Sequence, residues 1–361
     1  MMQKIEMYSC GKVRMKWGSI MLKSNIEIDK IVADIDDFVG LSGVVYMKNG
    51  NDVVFESAYG YSNRAEELSN TVNTRFGIAS GCKLFTAIGI CQLVEKGALS
   101  FHTRLKDCLG INFPNFDESI TIHHLLTHSS GIQDYFDEEE MDDFEELWKE
   151  QPTYLLNHLK DFLPMFQNNQ MMFKPGERFH YNNAGFIVLG LIIEQQTGLS
   201  FTDYMESEVF NRCGMRDSGY FSLDNLPKNT AYGYIDNEED GTWRTNVFSI
   251  PIKGGADGGA FITAPDMMKL WEGLFNHELL SEAYTNALLN PHIAVKGEAY
   301  YGYGIWINKR NNNIFKYHVI GYDPGVSFHS SVYPDLGIKL VVPSNKGYGS
   351  FDVTKAIEDL F

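Results

Sequence analysis

The sequence predicts an α/β (α+β) protein in which strands from both ends of the chain build one sheet around a mainly helical insertion. Three observations predict it. Residues 41–62, LSGVVYMKNGNDVVFESAYGYS, read as two strands around Asn49-Gly50-Asn51, a hairpin signal flanked by β-branched residues. After Tyr300 the pattern is again strand-like, in YGYGIWINKR, NIFKYHVI, VSFHSSVYP and GIKLVVPSN. Between these ends the apolar residues fall at helical spacing, with start and stop residues around them.

Taken in order, IEIDKIVADIDDF (26–38) has helical spacing, and Ser80 to Glu95 reads as a helix ended by Gly97. ITIHHLLTHSSGI, from Ile120, reads as a short helix followed by a Ser-Ser-Gly turn. The acidic run DEEEMDDFEELWKE (137–150) reads as a solvated helix or a lid segment. NNAGFIVLGLIIEQQTG is a helix with an Asn start and a Gly stop, and TAPDMMKLWEGLF is one with Thr263 as N-cap. DVTKAIEDLF closes the chain as a helix. With no repeat and no low-complexity linker, residues 26–361 read as one domain. Its α/β part covers about 26–80 and 255–361 and its helical part about 81–254, after an extension over 1–25. That extension is basic and Met-rich without the apolar core of a signal peptide. Because patterning begins near Ile26, Met15 or Met21 is a candidate natural start.

The chain has 361 residues, 44% hydrophobic and 13% aromatic, an ordinary globular composition with ample core. A net charge of −17 repels polyanions, so nucleic acid is not an expected partner. The five cysteines are scattered and form no C-x-x-C pair, which argues against a zinc knuckle or a disulfide framework and for a reducing, cytoplasmic setting. No apolar run reaches the roughly 20 residues of a membrane span. No metal is expected. His124 and His128 are four apart, but the Glu of H-E-x-x-H is absent. The acidic run lacks the alternation and central Gly of a calcium loop. GGADGGA lacks the G-K-[ST] of a phosphate loop and reads as a loop lining a cleft.

The chemistry-bearing stretch is RFGIASGCKLFTAIG, where Ser80 and Lys83 are three apart at a helix start. Ser80 is then either a helix N-cap or a nucleophile whose proton a buried lysine takes. RFHYNNAGFIVLG adds Tyr181, able to shuttle a proton or to be a core aromatic, and Asn183, able to bond both lysine and substrate. YHVIGYDPGVSF is a Gly/Pro-rich break between strands whose backbone N–H groups could complete an oxyanion hole, or an ordinary hairpin connection.

Together these segments resemble the serine β-lactamase-like superfamily of class C β-lactamases, penicillin-binding proteins and related esterases and peptidases. TRFGIASGCKLFTAIGICQLVEKGALS, ITIHHLLTHSSGI, PGERFHYNNAGFIVLG and GGADGGAFITAPDM are similar to its framed motifs, in the family's order, from about Ile26 to the C-terminus. The resemblance implies an antiparallel sheet flanked by helices with a helical subdomain. It implies Ser80 as nucleophile, Lys83 as general base, Tyr181 as proton shuttle and Asn183 as positioning residue. Gly258 and Gly259 would line the substrate cleft, with no cofactor. The third motif departs from the pattern. Where relatives carry Lys-Thr-Gly or His-x-Gly, this chain has Val319-Ile320-Gly321, and His318 stands one residue early. One oxyanion N–H would be that of Ser80. His318 is expected to line the site with Gly321 and Tyr322, and the second oxyanion N–H would be that of Tyr322, or of Gly321 if His318 takes the cation's place. Without a lysine there, carboxylate recognition weakens. The expected substrates are small esters or amides, with weak or no β-lactam turnover; the alternative is a non-catalytic acyl-accepting sensor or binding protein. Oligomeric state is not legible.

Overall fold

The structure, a computed structural model, describes residue 30 and residues 40–141 and 143–361. The helix expected over 26–38, apart from helical Lys30, and the suggested starts lie outside the described residues. Eight strands form one antiparallel sheet. They are β1 (Gly43–Asn49), β2 (Asp52–Tyr59), β3 (Ile293–Lys296), β4 (Ala299–Tyr301), β5 (Trp306–Arg310), β6 (Asn313–Asp323), β7 (Val326–Tyr333) and β8 (Ile338–Ser344). Their spatial order is β2-β1-β8-β7-β6-β5-β4-β3, so the two ends of the chain meet where β1 pairs with β8, Gly43 opposite Ser344. The β1–β2 turn is the expected one, and Gly50 supplies its left-handed φ of +58°.

Strand alternation sorts the core into two layers. Val44 and Tyr46 of β1 enter the larger cluster, shared with the helices, while Val45 and Met47 enter a smaller cluster on the other face. The helices that matter to the site are α1 (Lys83–Glu95), α2 (Ile122–Leu126), α3 (Asn183–Thr197) and α4 (Ala264–Phe275). The smaller cluster is covered by Val353 and Ile357 of α5 (Ser350–Glu358). Every residue of α1 from Lys83 to Val94 is buried, as expected of a helix apolar on all sides. Asn182 caps α3 by accepting the N–H of Gly185, and Gly198 ends it at φ +74°. Thr263 caps α4, whose Trp271 Nε1 donates to Ser330 Oγ (2.8 Å) and ties the helix to the sheet. Among the described residues no single helix is long and apolar enough to cross a membrane.

Two local expectations change. Ser80 lies in a 3₁₀ turn, Ala79–Cys82, ahead of α1; the turn's cap is Ile78, with no side-chain bond. Ser80 is therefore not a helix N-cap. The acidic run is not one solvated helix. Phe144 within it packs between Phe136 and Trp148, with ring centroids 4.8 and 5.0 Å away, so the chain folds down as a 3₁₀ turn, Phe144–Lys149. Trp148 Nε1 donates to Ser249 O (2.7 Å), and Asp137 is buried against His180.

Candidate active site

A cleft of about 890 Å³ opens over the 3₁₀ turn, with Ser80 in its lining. The turn is strained and tightly held. Ala79, a residue with a Cβ, has φ +44°, an unfavourable conformation that marks a fixed position. Ile78 N–H donates to Ala260 O (2.9 Å). On the sheet side Gly321 of β6 lies so close that a Cβ there would sit 2.1 Å from Ile78 O, so only glycine lets the strand reach the turn.

Ser80 and Lys83 meet within this turn. Lys83 is 2% exposed, and its Nζ has three partners: Ser80 Oγ (2.8 Å), Asn183 Oδ1 (2.8 Å) and the Asp257 carbonyl oxygen (2.7 Å). The last two can only accept, so they hold two N–H bonds of the amine. Ser80 Oγ accepts from Lys83 Nζ and is the one partner of the three with a proton of its own to give back.

The Asn183 amide is oriented by a residue that the sequence reading missed. Buried Asp134 accepts from Asn183 Nδ2 (3.0 Å), Asn183 N (2.7 Å), Ala184 N (2.8 Å) and Tyr135 N (2.8 Å). It takes up the first free N–H groups of α3 and turns the amide so that its oxygen faces Lys83. Burial pushes the Asp134 carboxyl up to about 7, against the pull of these N–H groups.

Tyr181 lines the cleft with its ring 4.9 Å from Lys83 Nζ. Burial, with Glu138 adding to it, holds its hydroxyl well above the ordinary range, and the hydrogen bond to Ser80 opposes this. The group is a neutral phenol. His128, behind it, packs on the ring at 4.4 Å, and its Nδ1 accepts from Asn182 N (3.0 Å). His124 Nδ1 accepts from Thr121 N (3.2 Å) at the start of α2. The two histidines thus serve the local backbone.

Gly258, Gly259, Gly321 and Tyr322 line the cleft as expected, but His318 does not. Its ring stacks on His329 at 5.2 Å, while Trp306, which does line the cleft, lies 6.1 Å from Tyr181 and 6.4 Å from His318. The physical reason is strand parity. Gly321 faces the 3₁₀ turn, so His318, an odd number of residues away, points to the opposite face. Val319 has the right parity but is 2% exposed within the larger core. At Tyr322 the parity favours an open N–H. Asp323 and Val326 form the closing pair of the β6–β7 hairpin, so the next pair, Tyr322 and Ser327, is the non-bonded kind. The Tyr322 N–H therefore points away from β7, at an edge where β5, whose register with β6 reaches only His318, leaves it free.

Comparison with known proteins agrees with this architecture. The family model described as Beta-lactamase matches residues 28–360. Penicillin-binding protein 4* of Bacillus subtilis (strain 168) is 29% identical over 320 residues, 84% of this chain and 68% of that protein. A crystal structure of a penicillin binding protein from Bacillus halodurans has a TM-score of 0.88 at 57% identity, covering 91% of this chain and 100% of that one. The D-amino acid amidase from Ochrobactrum anthropi SV3 shares the fold, with a TM-score of 0.71 at 21% identity over 92% of this chain and 99% of that one.

Proposed function

Because the chain belongs to the beta-lactamase family and is a serine hydrolase, we propose that it works through an acyl-enzyme on Ser80, with Lys83 as the base. The single observation that carries this is the Lys83 cage, in which two fixed acceptors leave Ser80 as the only proton donor. In the reaction Ser80 Oγ passes its proton to Lys83 Nζ and bonds to the substrate carbonyl carbon. The developing oxyanion is met by the N–H groups of Ser80 and Tyr322. Tyr181, a phenol beside both residues, relays the proton to the leaving ester oxygen or amide nitrogen. Water then splits the acyl-enzyme by the reverse relay.

The substrates are small esters or amides rather than β-lactams, because apolar Val319 stands where relatives carry the cation that reads a carboxylate. Nitrocefin hydrolysis as fast as that of a dedicated lactamase overturns this part. A second reading, acyl acceptance without turnover, is favoured by the names of the two penicillin-binding relatives. One experiment tests both. A serine-reactive fluorophosphonate should add one adduct to the intact mass, absent in Ser80→Ala. An ester or penicillin adduct that decays within minutes supports hydrolysis, and one that persists supports the acceptor.

A further inference from the structure

Two cations line the cleft, and one of them has nothing to hold. Arg244 donates to Glu145 Oε1 (2.5 Å) and to Ser249 Oγ (2.8 Å). The Lys253 ammonium has no hydrogen-bond or ion-pair partner among the described residues. Five carboxylates share the lining, yet each is engaged or disfavoured elsewhere. Glu145 takes Arg244, Asp143 Oδ1 accepts the N–H of Glu145 (2.9 Å), and Asp257 accepts the Tyr135 hydroxyl. Burial pushes the carboxyls of Glu138 and Asp323 up, the latter to about 7, so neither offers a firm counter-charge.

The backbone beneath Lys253 is fixed on both sides. Just before it, Ile252 N donates to Thr153 O (3.1 Å) and Ile252 O accepts from Leu223 N (2.8 Å), while Lys253 itself pairs with Ser222 in an antiparallel bridge. Just after it, a Cβ on Gly254 would sit 2.3 Å from Gly259 O, so only glycine lets the loop close there. That same loop carries the Asp257 carbonyl that holds Lys83. The ammonium is thus half-buried and tied to the frame of the reactive cluster. An incoming anion meets it without first breaking an internal ion pair. On β6, where relatives carry their cation, the inward position is Val319, sealed in the core.

We propose that Lys253 is an anion-reading subsite of this cleft and pairs with a carboxylate at the far end of the substrate's acyl chain. This rests on the acyl-enzyme reading above and adds the substrate class to it: esters or amides whose acyl group ends in a carboxylate. The acyl half is assigned because the leaving group takes its proton from Tyr181, whose ring packs on His128 and faces Trp306. Lys253 stands on a separate segment with Ile250 and Pro251, which line the cleft beside it and offer a methylene chain apolar surface. The carboxylate read here is a different group from the one that relatives meet on β6, so its recognition is compatible with weak β-lactam turnover.

The test uses the full chain and the mono-p-nitrophenyl esters of adipate, pimelate and suberate, with the spontaneous rate subtracted. Each is set against its methyl ester, which keeps the chain and the leaving group but has no charge. At the best chain length the acid should exceed its methyl ester in kcat/KM by roughly tenfold, the worth of one charge-assisted bond, and the gap should shrink in high salt. Lys253→Met, which keeps an apolar stem, should bring that ratio to one or below, and Lys253→Arg should hold it above one, whatever happens to the absolute rates. In parallel, hexanoate should slow fluorophosphonate labelling of Ser80 more than hexylammonium does, and lose that advantage in Lys253→Met. The inference is overturned if the methyl esters match or exceed the acids at every length, if Lys253→Met keeps the wild-type ratio, or if hexylammonium protects as well as hexanoate. Absence of labelling at Ser80 in the folded wild type is a different failure, because it removes the acyl-enzyme reading itself.

Discussion

Removing the Asp134 carboxylate should damage stability and catalysis separately, and the two can be read apart. Four N–H groups converge on it: those of Tyr135, Asn183 and Ala184 and the Asn183 side-chain amide. In Asp134→Ala all four bonds are lost, and only the Asn183 side-chain amide keeps another acceptor, Phe136 O (3.4 Å). At about 1 kcal/mol for each lost bond, the cost is on the order of 4 kcal/mol. For a chain of this size that is a fall of about 5 °C in Tm, measurable by thermal unfolding. Asp134→Asn keeps the shape but offers one acceptor and one donor. Its own NH₂ then opposes a donor, and the Asn183 amide is free to turn its nitrogen toward Lys83, removing one of the two acceptors that aim the amine at Ser80. The rate of Ser80 acylation should fall roughly 10- to 100-fold, with a smaller loss of Tm than in the alanine variant. An unchanged Tm in Asp134→Ala refutes the helix-end argument. A lowered Tm in Asp134→Asn with an unchanged acylation rate refutes the orienting argument and leaves Asp134 as scaffold alone.

Other consequences can be measured directly. Gly321→Ala places a Cβ against Ile78 O, so strand and turn must separate; Tm should drop by the equivalent of about 1–3 kcal/mol, and acylation should fall further than Tm explains. Tyr181→Phe should slow turnover without moving the acidic limb of the pH–rate profile, because the phenol stays protonated throughout the working range; a displaced acidic limb would show that Tyr181 titrates. Phe85→Ala, which deletes a buried ring set edge-on to Phe210, should cost about 3–5 kcal/mol.

The sequence made the elements and the residues that gather at the cleft legible for identifiable reasons. Asn49-Gly50, Asn182 with Gly198, and Thr263 are local signals whose chemistry acts within a few residues, and each does its expected work. Ser80, Lys83, Tyr181 and Asn183 stand in framed motifs, and the fold brings the first, second and fourth into one hydrogen-bonded cluster, with Tyr181 at its side. What failed was long-range. Asp134 is a single carboxylate with no spacing pattern, and its role depends on a helix start 49 residues away. Asp257 holds Lys83 through its backbone carbonyl, a role that no side-chain pattern in the glycine-rich loop can signal. His318 was counted along a strand whose parity could be set only by seeing Gly321 against Ile78. The acidic run was weighed by its charges, although its aromatic residues decide its course.

The pairing of Gly43 with Ser344 sets an order of events during synthesis. A ribosome that has made the first 300 residues has released Ser80, Lys83 and Asn183, but neither Gly321 nor Tyr322. The first hairpin meanwhile offers a bare β1 edge to the surrounding solution, and its native neighbour is still unmade. Competence thus arrives late and nearly all at once, when β6, β7 and β8 dock. Any early halt in translation yields a chain that holds Ser80 and Lys83 without the strand that packs against their turn.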